Sequence, residues 1–174
     1  MTEHQDRDEL VELMSRYANV PDTKDWDELP RSVFCDEFTS DFSSLGAPVT
    51  TSSRDAWCQR TKQVFAGWTA THHAITNHRI AIDGDRATIR AHIRAEHWAP
   101  PEVAAGGPNC WLVVGFYDDV AVRTAEGWRL SLVKLTDPPG ERGAARGLDG
   151  GGEGLTSPPY GRAPPGGFEP PHPV

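Results

Sequence analysis

An α+β domain, with N-terminal helices covering one face of a bent antiparallel sheet, is the fold class that this sequence predicts. Three observations carry that reading. Apolar residues recur at helical spacing in the first third of the chain, they alternate with polar ones beyond Trp68, and the alternation ends near residue 137. A chain of 174 residues has the length of one domain with its own core.

The helices come first. In "DRDELVELMSRYANV", Leu10, Leu13, Met14, Tyr17 and Ala18 share one helical face behind a run of acids. "DTKDWDELPRSVF" predicts a second, short helical piece with Trp26 and Leu29 on one side, stopped or kinked at Pro30. "TTSSRDAWCQRTKQVFAG" predicts a third, with hydroxyl residues as caps, a row of Trp57, Thr61, Val64 and Phe65, and Gly67 as terminator.

Strands follow. "HRIAI" and "RATIRAHIRAEHW" read as a hairpin turning at Asp83-Gly84, a pair that supplies the positive φ such a turn needs. Past the loop "APPEVAAGGPN", the runs "CWLVVGFYDDVAVRT" and "GWRLSLVKLT" form a second hairpin around Glu126-Gly127. The folded domain therefore spans 1–136. Residues 137–174 hold ten of the 17 glycines and nine of the 15 prolines. That composition cannot bury enough apolar surface to offset its ordering entropy, so the segment reads as a disordered tail.

Composition excludes several classes. A formal charge of −8 with no cluster of Lys and Arg argues against nucleic acid as a partner. No stretch approaches the ~20 apolar residues of a membrane span, and the polar start "MTEHQDRDEL" lacks a signal-peptide core, so a soluble, cytoplasmic protein is expected. Cys35, Cys58 and Cys110 are far apart and suggest neither a disulfide framework nor a zinc site. No glycine-rich phosphate loop or nucleophile elbow occurs in the folded part, and no metal or cofactor is expected.

Chemistry concentrates in residues 71–98, which hold five of the seven histidines. On the strand 86–98, Ala87, Ile89, Ala91, Ile93, Ala95 and His97 share a face, so His97 ends an apolar stripe and either packs in the core or faces a pocket. His92 falls on the charged face. His72 and His73 point to opposite sides of their strand. A histidine held by a carboxylate at Nδ1 is a general base or acid near neutral pH, and Tyr17 could donate a hydrogen bond to a substrate carbonyl. Trp111, Val113, Gly115 and Tyr117 share one face of the next strand, where Gly115 allows close approach. The other face, Cys110, Leu112, Val114 and Phe116, is also apolar, which suits a subunit interface and a homodimer or homotrimer. The abundance of aromatic residues points to a pocket for a ring-shaped, largely apolar small molecule, lined by residues such as Trp26, Ile93, Trp111 and Tyr117.

Taken together, "RYANVPDTKDWDEL", "HHAITNHRIAIDGDRATIRAHI" and "GFYDDVAVRTAEGWRL" resemble the SnoaL-like branch of the nuclear transport factor two-like superfamily, which includes scytalone dehydratase and polyketide cyclases. The resemblance covers residues 8–135. It implies a cone-shaped α+β barrel whose curved antiparallel sheet is packed by N-terminal helices around a deep pocket. It also implies a catalytic histidine four residues before an asparagine, which selects His73 with Asn77 as a substrate-binding residue. The partner carboxylate is implied at Asp22, turned inward where Pro21 ends the first helix, and the matching position at His97 carries a polar pocket residue. The expected catalytic set is then His73, Asp22, Tyr17 and His97. The expected function is a cofactor-independent dehydratase, cyclase or isomerase acting on a cyclic hydroxy-ketone. The alternative is a non-catalytic ligand-binding protein or the small structural subunit of a ring-hydroxylating dioxygenase.

Overall fold

A computed structural model describes residues 2–102 and 109–136, together with the backbone of 145–147. The rest of the expected tail and the loop 103–108 lie outside the described residues. The elements run α1 (Glu3–Thr23), α2 (Leu29–Val33), β1 (Phe34–Asp41), a 3-10 turn (Ser43–Leu45), β2 (Thr50–Ser53), α3 (Arg54–Phe65), β3 (Ala70–Asp83), β4 (Arg86–Trp98), β5 (Cys110–Thr124), β6 (Gly127–Thr136) and β7 (Ala145–Gly147). The strands form one curved sheet in the order β2-β1-β6-β5-β4-β3, with β7 pairing Trp111–Val113 of β5.

Helix α1 starts at a capping box, in which Thr2 accepts from the Gln5 amide while the Gln5 side chain accepts from Thr2. Its buried face is the expected one, from Leu10 through Tyr17 to Val20. Pro21 does not end it. The missing N–H of a proline removes a single intrahelical bond, and so close to the terminus the last turn survives, helped by the Thr23 hydroxyl donating to the Asn19 carbonyl. Lys24 then closes the helix in the left-handed conformation at φ 56°. Pro30 likewise starts α2 instead of stopping a helix, because the first turn has no use for its absent N–H.

Three strands were not anticipated: β1, β2 and β7, the last lying within the expected tail. β1 pairs with β6 in parallel and with β2 antiparallel, so the sheet is mixed where a pure meander was expected. β2 takes up the hydroxyl-rich residues before α3, leaving Ser53 as its N-cap. The long hairpins follow the alternation, although the first turns at Gly84 and Asp85, with Gly84 at φ +58°, and its first strand begins eight residues earlier, at Ala70.

The core lies between the concave face of the sheet and α1, α2 and α3. Trp128, Phe34, Leu10, Leu13 and Met14 are its fully buried centre. Phe34 stacks on Phe38 at 4.4 Å, and Trp57 covers both. At its N-terminal end α1 is tied to the β5–β6 hairpin: Arg123 donates to both oxygens of buried Asp6 at 2.8 Å, and the Trp128 indole donates to the same carboxylate.

Gly115 was expected to let a ligand or helix come close; its neighbour is the sheet itself. A Cβ built there would stand 2.6 Å from the Thr136 carbonyl oxygen, backbone that cannot swing aside. Gly115→Ala is therefore expected to lower stability by about 1–3 kcal/mol, read from denaturant unfolding.

Candidate active site

The C-terminal turn of α1 and the first half of β3 are joined through a single carboxylate. Asp22 Oδ1 accepts from His73 Nδ1 at 2.6 Å and from the Thr71 hydroxyl at 2.8 Å, and its Oδ2 accepts from the His73 backbone amide at 2.7 Å. A carboxylate offers only acceptors, so the imidazole proton on this side sits on Nδ1 and Nε2 is left with its lone pair. Burial pushes the Asp22 carboxyl up, but the His73 side-chain and backbone hydrogen bonds and the Thr71 hydroxyl outweigh it and hold the group below the usual carboxylate range. The side chains of His73 and Asp22 are 9% and 16% exposed, respectively.

A bulge decides that His73, and not His72, faces inward. Thr76 pairs with His92 and Arg79 with Arg90, so two residues of β3 oppose Ala91 alone. Asn77 occupies the bulge at φ 56°, a left-handed conformation that asparagine tolerates. The bulge switches the strand's parity: Thr71, His73 and Ile75 face the helices before it, and His78, Ile80 and Ile82 after it. Asn77 is thus not brought to the site. It is exposed, and its amide meets His92 at 3.4 Å. His72 is exposed beside Glu96, and His92 packs on Phe116 on the outer surface.

His97 is buried at 5% exposure, its ring 5.1 Å from that of His73 and nearly perpendicular to it. Its Nδ1 lies 3.4 Å from the Trp111 carbonyl, to which it donates, so its Nε2 is also an acceptor. Phe65, Trp68 and Trp111 surround the ring at 5.7, 5.4 and 5.1 Å, and the two indoles stack on each other. Burial, then the neighbouring His73, lower the His97 pKa to about 4, with the Trp111 carbonyl and Asp22 acting the other way.

Tyr17 lies deeper, its hydroxyl donating to that of Tyr117 at 3.3 Å. Burial, with Tyr117 and Asp119 beside it, raises its pKa well above the ordinary value. Ile93 is buried in the core on the His97 face, and Trp26 stands behind Phe65 at 5.6 Å. Thr71, Phe65 and Trp68 were not among the candidates. Thr71 could have been found by alternation, standing two residues before His73, whereas Phe65 and Trp68 reach His97 only through the turn after α3.

Two grooves of about 410 and 540 Å³ lie on the outer surface of the sheet, and neither is lined by His73, Asp22 or His97. Among the described residues, no group of three or more His, Cys, Asp and Glu is placed to hold a metal ion, and no helix is long and apolar enough to cross a membrane.

Helices pack on one face of this curved sheet, and a His–Asp pair joins the first helix to it. Residues 2–134 match the SnoaL-like domain family, and the chain belongs to that family. The Kfla4162 protein of Kribbella flavida is 54% identical, superimposes with a TM-score of 0.76, and is matched over 78% of this chain and 92% of its own. The uncharacterized protein Rv2910c of Mycobacterium tuberculosis is 30% identical over 131 residues, 75% of this chain and 84% of its own. A candidate scytalone dehydratase from Novosphingobium aromaticivorans shares the fold, with 18% identity and a TM-score of 0.65 over 88% of this chain and 92% of that one.

The buried histidine carries a stability signature. His97 ordinarily titrates at 6.5, and its folded value is about 4. Above pH 6.5 the ring is neutral in both states and contributes nothing. As pH falls from 6.5 towards 4 the unfolded chain takes up the proton first, and stability falls by up to ~3 kcal/mol. Asp22 acts in a lower window, because its depressed pKa stabilises the fold above the ordinary carboxylate value and that support is lost only as pH drops through its folded value. Thermal unfolding between pH 7 and pH 4 should show a declining melting temperature, and His97→Gln should flatten the decline.

Proposed function

We propose that the chain is a cofactor-independent dehydratase, cyclase or isomerase that acts on a cyclic hydroxy-ketone, with His73 as its proton-transfer group. The observation that carries this reading is the 2.6 Å contact from His73 Nδ1 to Asp22. It orients the ring, presents Nε2 as a base and stabilises the imidazolium that forms. Membership of the SnoaL-like family and the likeness to candidate dehydratases support the same class.

In the dehydration case His73 Nε2 takes the proton from the carbon next to the carbonyl. The freed electron pair forms a C=C bond as the C–O bond to the hydroxyl breaks, and the proton returns from His73 to the departing oxygen as water. No electrons are gained or lost overall. The Tyr17–Tyr117 hydroxyl pair, in which Tyr17 donates to Tyr117, supplies a donor for the negative charge on the carbonyl oxygen. His97, neutral at pH 7, accepts a hydrogen bond from the substrate hydroxyl and does not supply the proton.

Deuterium exchange reads the base directly. The C1 hydrogens of 2-tetralone in deuterium oxide, followed by NMR, should exchange faster with the protein than without it. His73→Ala and Asp22→Asn should each remove most of that acceleration, on the order of 10²- to 10⁴-fold if positioned proton transfer is its source. The double variant should be scarcely worse than either single one, because the pair acts as a unit. Undiminished exchange by His73→Ala rejects the mechanism and favours a ligand-binding protein.

The same reading includes a homodimer or homotrimer through the outer face of β5. Val114 is 36% exposed, and with Phe116 it lines the groove of about 410 Å³. A second copy would cover this stripe, which is apolar on a sheet face otherwise carrying Arg90, His92 and Arg94. Sedimentation should show an oligomer that Val114→Glu converts to a monomer.

A further inference from the structure

Thr71 is the one member of the Asp22 cluster to which the mechanism above gives no task. Its place follows from β3. Two residues before His73 and ahead of the bulge, it faces the helices, and across the sheet it pairs with His97. Residues directly opposite in an antiparallel pair have their Cβ atoms about 4.5–5.5 Å apart, so Thr71 stands next to His97 as well as to Asp22. A hydroxyl has a single hydrogen to give. Thr71 gives it to Asp22 Oδ1 at 2.8 Å, the same oxygen that accepts from His73 Nδ1 at 2.6 Å, while Oδ2 takes the His73 backbone amide.

The two bonds from His73 already join that residue to both carboxylate oxygens, so holding the pair together does not need the threonine. What Thr71 adds is a second donor on the oxygen that faces the imidazole. Such a donor draws negative charge from the oxygen, and the Thr71 bond is among the causes that keep Asp22 below the usual carboxylate range. The Asp22 side chain is 16% exposed, so little water is at hand to replace the hydroxyl. Oδ1 is left a weaker acceptor for the Nδ1 hydrogen and a weaker counter-charge for an imidazolium. We propose that Thr71 is a positioning residue that acts through Asp22: its hydroxyl limits how strongly the carboxylate holds protonated His73, so that the ring which takes a proton at Nε2 can return it. The inference rests on the proposed base, because dehydration needs His73 to release the proton as well as to take it. A hydroxyl given to Asp22 also cannot serve Nε2 of His97 across the strand pair, which keeps that acceptor for the substrate hydroxyl.

Valine has the shape of threonine without its hydroxyl, and serine has the hydroxyl without the methyl group, so the two variants separate donor from packing. Exchange of the C1 hydrogens of 2-tetralone, followed against pH, gives the first readout. Thr71→Val should raise the pH of half-maximal exchange by about half a unit to one unit. Below the midpoint exchange should slow about 3- to 10-fold, and on the plateau above it the rate should be kept. Thr71→Ser should follow wild type. A threonine that only packs would lower the rate equally at every pH and leave the midpoint in place. The second readout needs no substrate. The Nδ1 hydrogen of His73 is shared with Asp22 at a shielded place and should give a far-downfield proton NMR signal, identified by its absence in His73→Ala. Thr71→Val should move that signal further downfield, and Thr71→Ser should not.

An unmoved midpoint or signal in folded Thr71→Val, a missing signal in wild type, or a serine variant that behaves as the valine one would each overturn the inference. If the valine variant does not fold, Thr71→Ala removes the same hydroxyl with no added volume and takes its place. Failure of both to fold makes the threonine structural and overturns the inference too. Undiminished exchange by His73→Ala, or no acceleration by wild type, removes the base reading instead, and the NMR signal then decides alone whether Thr71 governs the Asp22–His73 bond.

Discussion

Three donors on one carboxylate set the geometry on which the site depends. Asp22 stands in the last turn of α1, and Thr71 and His73 stand on β3, which among the described residues is an edge strand of the sheet. The bond to the His73 backbone amide is one that a further strand would otherwise have made. Helix α1 thus completes the sheet edge at the point where the histidine must be oriented. Docking and orientation are one interaction here, so the carboxylate cannot be changed for chemistry without loosening the helix. The opposite end of α1 has its own anchor at Asp6, Arg123 and Trp128. With both ends held, Tyr17 has little freedom to leave Tyr117.

The bulge at Asn77 is the second constraint, and it follows from parity. A strand of strict alternation that buried Ile80 and Ile82 would also bury His72 and expose His73. One extra residue reverses the first half of the strand, placing Thr71 and His73 toward Asp22 while the isoleucines remain inside. The resemblance to known dehydratases points to Asn77 as a ligand-binding side chain. In this chain its contribution is made through the backbone, and its amide lies on the other side of the sheet.

What could be read from the sequence follows the range of the interactions involved. Alternation in β4, β5 and β6 is local, and those strands lie where the pattern puts them. "FCDEFTSD" has no such alternation, because β1 is buried unevenly between β2 and β6, and its parallel partner is about 90 residues away. The two prolines misled for one reason: a missing N–H is equally compatible with a helix stopping, starting or losing a single bond near its end. The meeting of Asp22 with His73 spans 51 residues. Periodicity says nothing about it, and only the family pattern pointed there. Asp119 carried no signal at all, since in "YDDV" nothing separates the aspartate that meets Arg90 from the one that is buried.

The inner face of the sheet divides its titratable groups so that little charge stands on them before reaction. Asp22 is kept ionised by the donors around it, Tyr17 is kept protonated by burial, and His97 is kept neutral by the same cause. Each shift disfavours a second buried charge. An interior of this kind, walled by Phe65, Trp68 and Trp111, accepts an uncharged ring more readily than an anion, because an anion would lose its water against aromatic faces. Charge would then develop only as a proton moves from the ligand, next to groups already oriented to receive it. On the proposed mechanism, the Tyr17–Tyr117 hydroxyl pair would favour the charged transition state over the neutral ligand, the differential binding from which a rate enhancement arises.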